Sequence, residues 1–225
     1  KVYHAIWTQL YKLDSDYLEE TLIKCIKQEI KQKYSKSTWY EVYDYLECYC
    51  RLIKLQSADY YTKLCKALNI ILENHNSAYH IIEGKVAPIS TEQEISEISE
   101  ACKSGQKAID THMRKALEIF SQKDKKDYAN TIKEAISAVE AAVNLINKTA
   151  GKTLGDALKE LDKKKTIHPA LSDALQKIYG YTSDKHSGVR HAIFDGAKNI
   201  PDFADAKFML VACSAFINYL MQRNA

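Results

Sequence analysis

Proline and glycine are scarce in this chain, 3 and 7 among 225 residues, and only four of its 32 basic side chains are arginine. The first scarcity leaves room for long uninterrupted helices and argues against many short strands joined by turns. The second makes the position of each arginine informative. No Cys-x-x-Cys pair occurs among the six cysteines, and no histidine pattern suited to zinc lies near them, so they read as reduced core residues rather than a metal site. The sequence opens on no charged-then-apolar leader and holds no apolar run of about 18 residues, which removes the secretory and membrane-spanning readings and leaves the cytoplasm as the expected location. Because the first residue is Lys1, residues upstream of it are expected. A phosphate loop is also missing. Residues 148–153 read Lys-Thr-Ala-Gly-Lys-Thr, but Ile146 stands where the Walker pattern needs its first glycine, and Gly155 is followed by Asp156. No cofactor and no metal is therefore expected.

What the chain does have is 46% apolar residues, enough for one large core or two smaller ones. Lysine, glutamate, leucine, isoleucine and alanine dominate, and the fold class they predict is mainly α. The net charge of +3 conceals an asymmetry: residues 1–100 carry 12 basic and 15 acidic side chains, residues 101–225 carry 20 and 14. The basic second half is compatible with a polyanionic partner such as RNA, although lysine-rich solvated helix faces give the same count.

Along the chain, apolar residues recur at three and four over 2–13, then over 16–34 with Leu18, Leu22, Ile26 and Ile30 as a stripe. The run 38–55, dense in Trp39, Tyr40, Tyr43, Tyr45 and Tyr49, is too broadly apolar for a helix packed on one side and belongs at the centre of an N-terminal core. Residues 57–74 continue as helix. The period then changes, and residues 79–89 read as two short strands about Glu83-Gly84, with Pro88 confining the second strand to an edge. Ser90 with Gln93, or Thr91 with Glu94, is a capping-box pattern that opens a long helix, which Gly105 kinks or divides. Helices follow over 128–148, 154–161 and 170–179, with Gly151 as a helix end and Thr153 as the next cap. A last helix begins at Pro201-Asp202 and is nearly apolar from Phe208 to Leu220. Thirteen such residues are too few to span a bilayer, so this helix is either the core of the C-terminal part or half of a dimer interface.

Residues 179–196 hold the densest set of catalysis-capable side chains, bracketed by Gly180 and Gly196 as helix boundaries. If 184–195 is helical, His186 and Arg190 are i,i+4 neighbours on one face, while Asp184 and His191 lie about two turns apart. An imidazole, a guanidinium and a carboxylate would converge there. The alternative is that these groups solvate a short helix or satisfy buried partners.

Two sets of segments carry a resemblance. One is Asn76-Ser77-Ala78-Tyr79-His80-Ile81-Ile82-Glu83-Gly84-Lys85-Val86-Ala87-Pro88-Ile89. The other runs through Glu134-Ala135-Ile136-Ser137-Ala138-Val139-Glu140, His168-Pro169-Ala170-Leu171 and Val189-Arg190-His191-Ala192. Together they resemble bacterial AbiJ-type abortive infection proteins. The resemblance implies an AbiJ-like N-terminal helical domain, here residues 1–100, as sensor or regulator, followed by an all-helical HEPN-like domain, here residues 101–225. It further implies anti-phage defence, a homodimer formed through the C-terminal domain, and metal-independent cleavage of RNA by an arginine, four to six intervening residues, then a histidine. This sequence departs from that spacing, because none of Arg51, Arg114, Arg190 and Arg223 has a histidine at the required distance. What stands instead is His186, three residues, Arg190, then His191. Neighbouring residues on a helix diverge by about 100°, so Arg190 and His191 share a pocket only if it is wide or dimeric. Glu140, on the preceding long helix, either orients one of these side chains or satisfies a buried arginine. The other function class left open is a non-catalytic helical sensor or RNA- or protein-binding module.

Overall fold

The computed structural model describes residues 23–149, 154–163, 167–183 and 200–224. These form nine helices and one two-stranded antiparallel sheet, the mainly α architecture with a single hairpin that composition and periodicity predict. The chain divides into two compact units between Pro88 and Ile89.

In the first unit, α1 (Ile23–Lys36), α2 (Trp39–Lys54) and α3 (Ala58–Asn74) precede β1 (His80–Ile82) and β2 (Lys85–Ala87). The helix starts are set locally. Glu41 reaches back to accept from the Thr38 backbone N–H at 2.7 Å and from its hydroxyl at 2.8 Å, and the Ser57 hydroxyl accepts from Tyr60 N–H at 3.3 Å. Each takes up a polar group that the first turn of a helix cannot satisfy within itself.

The hairpin needs its helices. Glu83 and Gly84 turn the chain with φ of 49° and 83°, both left-handed, the geometry that matches strand twist in a two-residue loop. In the resulting register Ile81 faces Val86, a pair whose backbone groups point away from the partner strand. Side chains from the helices take them. Asn69 of α3 donates to Ile81 O at 3.1 Å and accepts from Ile81 N–H at 2.7 Å, and Glu47 of α2 accepts from Val86 N–H at 3.0 Å. Ile81 and Val86 meanwhile bury their side chains against Cys50 and Tyr61, so a sheet of two strands is covered rather than left as an open edge. A Cβ at Gly84 would stand 3.3 Å from the Tyr61 hydroxyl, in a conformation costing an L-residue about 1–2 kcal/mol. Gly84→Ala is accordingly expected to lower the stability of the first unit by about that amount, read from its urea midpoint; an unchanged midpoint would show that the turn relaxes.

The second unit contains α4 (Glu92–Ala101), α5 (Lys107–Phe120), α6 (Tyr128–Asn147), α7 (Leu154–Lys163), α8 (Pro169–Ser183) and α9 (Phe203–Arg223). Its centre is α6, which packs on α5, α7, α8 and α9. The sequence explains why: Ile132, Ala135, Ile136, Ala138, Val139, Ala142 and Val143 are all buried, a surface too wide for one neighbour, with alanines that admit close approach. Asn147 donates to Ala157 O at 2.7 Å and ties the end of α6 to α7. Helix α4 is fastened to α9 by Lys207–Glu94 at 2.9 Å and by Asn218, which donates to Glu97 O at 3.0 Å and to its carboxylate at 2.7 Å. Helix α9 extends N-terminally beyond the apolar run from Phe208. Over 18 residues its mean hydropathy reaches 1.3, enough by length and composition to cross a membrane, but half of that window is buried within the bundle, as in a core helix.

Several local expectations are corrected. Thr91 is the N-cap of α4, but its side chain makes no capping hydrogen bond; Glu94 is drawn to Lys207 instead. The Gly105 expectation holds in one of its two forms: at φ 78° it divides the long helix. Helix α6 ends at Asn147 with Lys148 left-handed at φ 56°, before Gly151, which with Thr153 lies outside the described residues. Gly180 lies inside α8 and bounds nothing. A glycine costs a helix only about 1 kcal/mol, and the packing of α8 on α7 offsets that.

Candidate functional site

Asp184, His186, Arg190 and His191 lie outside the described residues. Glu140 is described: it is half-buried on α6. It lies six residues beyond Glu134, and six residues turn a helix by about 600°, so the two carboxylates point in different directions.

The structure instead brings together His112, Lys115 and Glu134. His112 and Lys115 are i,i+3 neighbours on α5. Glu134 sits in the apolar stripe of α6 and is only 5% exposed. A carboxylate so buried needs partners, and it has two: His112 Nδ1 at 2.8 Å from Oε2 and Lys115 Nζ at 2.6 Å from Oε1. An ionised carboxylate can only accept, so His112 donates through Nδ1–H and its Nε2 is left for other contacts. Burial works to raise the Glu134 carboxyl, but the hydrogen bonds from Lys115 and His112 prevail and hold it below its usual 4.5. A histidine with one tautomer selected beside a lysine can move a proton or hold an anion; it also fastens α5 to α6. The sequence signal for this cluster was a glutamate placed among apolar stripe residues.

The first unit holds a cavity of about 350 Å³. Asp44, Glu47, Cys48, Arg51 and Lys54 of α2 form one wall, Glu83, Gly84 and Lys85 of the hairpin another, and Tyr61 of α3 borders it. Glu47 is committed to the fold, since it also meets Lys85 at 3.4 Å. Lys54 Nζ lies 4.8 Å from the centre of the Tyr61 ring, and Arg51 donates to Cys48 Sγ at 3.5 Å. Burial pushes the Tyr61 phenol up, so it stays protonated. A hydrogen bond from the Cys50 thiol holds Cys65 below its usual value against the opposing effect of burial, with help from Tyr61 and Lys54. The charged residues of α2 recur at three and four, a pattern present in the sequence alongside its denser run of aromatic residues. Among the described residues, no group of three or more His, Cys, Asp or Glu side chains could hold a metal ion.

A hairpin clasped by two helices, with α4 beyond it, is the arrangement that comparison with known families addresses. Residues 3–104 match the family model AbiJ N-terminal domain 4. The match supports an AbiJ-type N-terminal domain over those residues and connects the chain with abortive infection, a form of anti-phage defence. The AbiJ-type segment runs past Pro88 and includes α4, whose packing partner is α9. By sequence α4 therefore goes with the first unit, and by packing it goes with the second. No curated protein and no solved structure matches the chain.

Proposed function

We propose that this chain is an abortive-infection defence protein in which the AbiJ-type N-terminal domain governs a HEPN-like helical domain, and that the latter cleaves RNA as a homodimer in the cytoplasm without a metal ion. The observation that carries the reading is the AbiJ N-terminal domain 4 match at residues 3–104, standing before a helical bundle of basic overall charge. In the proposed chemistry His191 or His186 takes the proton of the attacking ribose hydroxyl or returns one to the leaving oxygen. Arg190 stabilises the charge that builds on the phosphate. Asp184 and Glu140 orient these side chains, and the lysines of the second half guide the polyanion.

Incubation of the purified protein with RNA in the presence of a chelator tests this directly. Cleavage is expected to persist with chelator and to fall at least about 100-fold in Arg190→Ala and His191→Ala, with melting temperatures unchanged. Cleavage that requires a metal, or that survives both substitutions, overturns the reading. A second reading, a helical sensor or binding module without catalysis, is favoured by the missing arginine-to-histidine spacing. It predicts RNA binding without cleavage, and a large loss of melting temperature in Arg190→Ala.

A further inference from the structure

The cavity of the first unit takes no part in RNA cleavage as proposed, yet its charges are arranged along a gradient. On α2, Asp44 and Glu47 lie toward one end and Arg51 and Lys54 toward the other, one face of a helix separating them by about 1.5 Å of rise per residue. Glu47 is held by Lys85 and by the Val86 N–H, which fixes the hairpin wall. The two cations beyond it are differently placed. Among the described residues, Arg51 has the Cys48 sulfur as its partner and Lys54 the face of Tyr61; neither is neutralised by a carboxylate. A guanidinium that meets only a sulfur, a weak acceptor, keeps N–H groups for a phosphate, which accepts two of them at once. The lysine one turn on adds a second positive charge, and the volume of about 350 Å³ lies at the small end of the range for ligand pockets.

We propose that this cavity binds a nucleoside monophosphate, with its phosphate on Arg51 and Lys54 and its hydroxyl or amino donors toward Asp44. The phosphate accepts from the guanidinium and the ammonium, and the carboxylate accepts from the nucleoside. Tyr61, protonated and packed beneath Lys54, offers an apolar surface at the border. The site is made by α2, α3 and the hairpin alone, so the inference stands independently of the ribonuclease reading.

Calorimetric titration of the full chain with AMP, GMP, CMP and UMP, each alongside its unphosphorylated nucleoside, is the test. At least one monophosphate is expected to bind, with affinity at least tenfold above that of its nucleoside. That affinity should fall at least tenfold in Arg51→Ala and further in Arg51→Ala/Lys54→Ala. Both side chains are exposed, so the melting temperature without ligand should not move and lost binding is not lost folding. The bound monophosphate should also slow alkylation of Cys48, a wall residue of the cavity, as followed by mass spectrometry. Binding that is lost in Arg190→Ala but kept in Arg51→Ala would place the nucleotide elsewhere and overturn the proposal. So would the absence of binding by all four monophosphates at millimolar concentration, or nucleosides binding equally well.

Discussion

Removing both hydrogen-bond donors from Glu134, in His112→Leu/Lys115→Met, is expected to destabilise the second unit by about 3–5 kcal/mol at neutral pH, because it strands a buried carboxylate with neither a donor nor the Lys115 counter-charge. Adding Glu134→Leu to that pair should recover most of the loss. The opposite order is much milder. Glu134→Leu alone leaves His112 and Lys115, whose side chains are 40% and 55% exposed, free to be solvated by water. The dependence on pH should reverse as well. In the native chain the Glu134 carboxyl is held below its usual 4.5, so its contribution is fully present above that value and is lost as pH falls through the lower folded value. In the double variant, burial without the two donors and the Lys115 charge raises the carboxyl instead. The destabilisation is then present above the raised folded value and is relieved as pH falls toward 4.5. Urea midpoints of the second-unit transition between about pH 4 and pH 8 give both slopes. Parallel slopes in native and variant chains would mean that the cluster contributes nothing as an ion network.

Phe120→Ala should cost the second unit about 3–5 kcal/mol. Phe120 ends α5, is 1% exposed, and stacks on Phe203 at the start of α9 with ring centres 5.5 Å apart and planes at 20°. Truncation removes the buried ring and the stacking together, while Phe203 keeps an edge-on contact with Tyr128 at 6.3 Å. Phe203→Ala should cost less than half as much, since Phe203 is 39% exposed. Equal losses at the two positions would refute the assignment of Phe120 as the buried member. Each loss is read on the transition of the second unit, since a chain of two compact units need not unfold in one step.

The mainly helical class, the order of helices and the hairpin were legible in the residues because each rests on interactions within a few positions. Thr38 with Glu41, Ser57 with Tyr60 and Asp202 with Asp205 satisfy the first turns of their own helices. Glu83-Gly84 needs only a positive φ at two successive residues. The match over residues 3–104 likewise upholds the AbiJ-like reading of the N-terminal part, which rested on short motifs.

Wherever a residue had a distant partner to choose, local pattern could not decide. Thr91 and Glu94 have the spacing of a capping box, yet Glu94 joins Lys207 of α9. Gly180 has the chemistry of a helix end, yet α8 passes through it. Glu134 interrupts an apolar stripe, and nothing in α6 announces that His112 and Lys115 stand opposite. The cavity is of the same kind: the spacing of Asp44, Glu47, Arg51 and Lys54 puts them on one face, but only the hairpin folding back over α2 turns that face into a wall. Sequence by itself determined the helices and the turn, since these energies are local. The tertiary structure decided which charges are buried together and which remain available to a ligand, because burial is created only when separate elements meet.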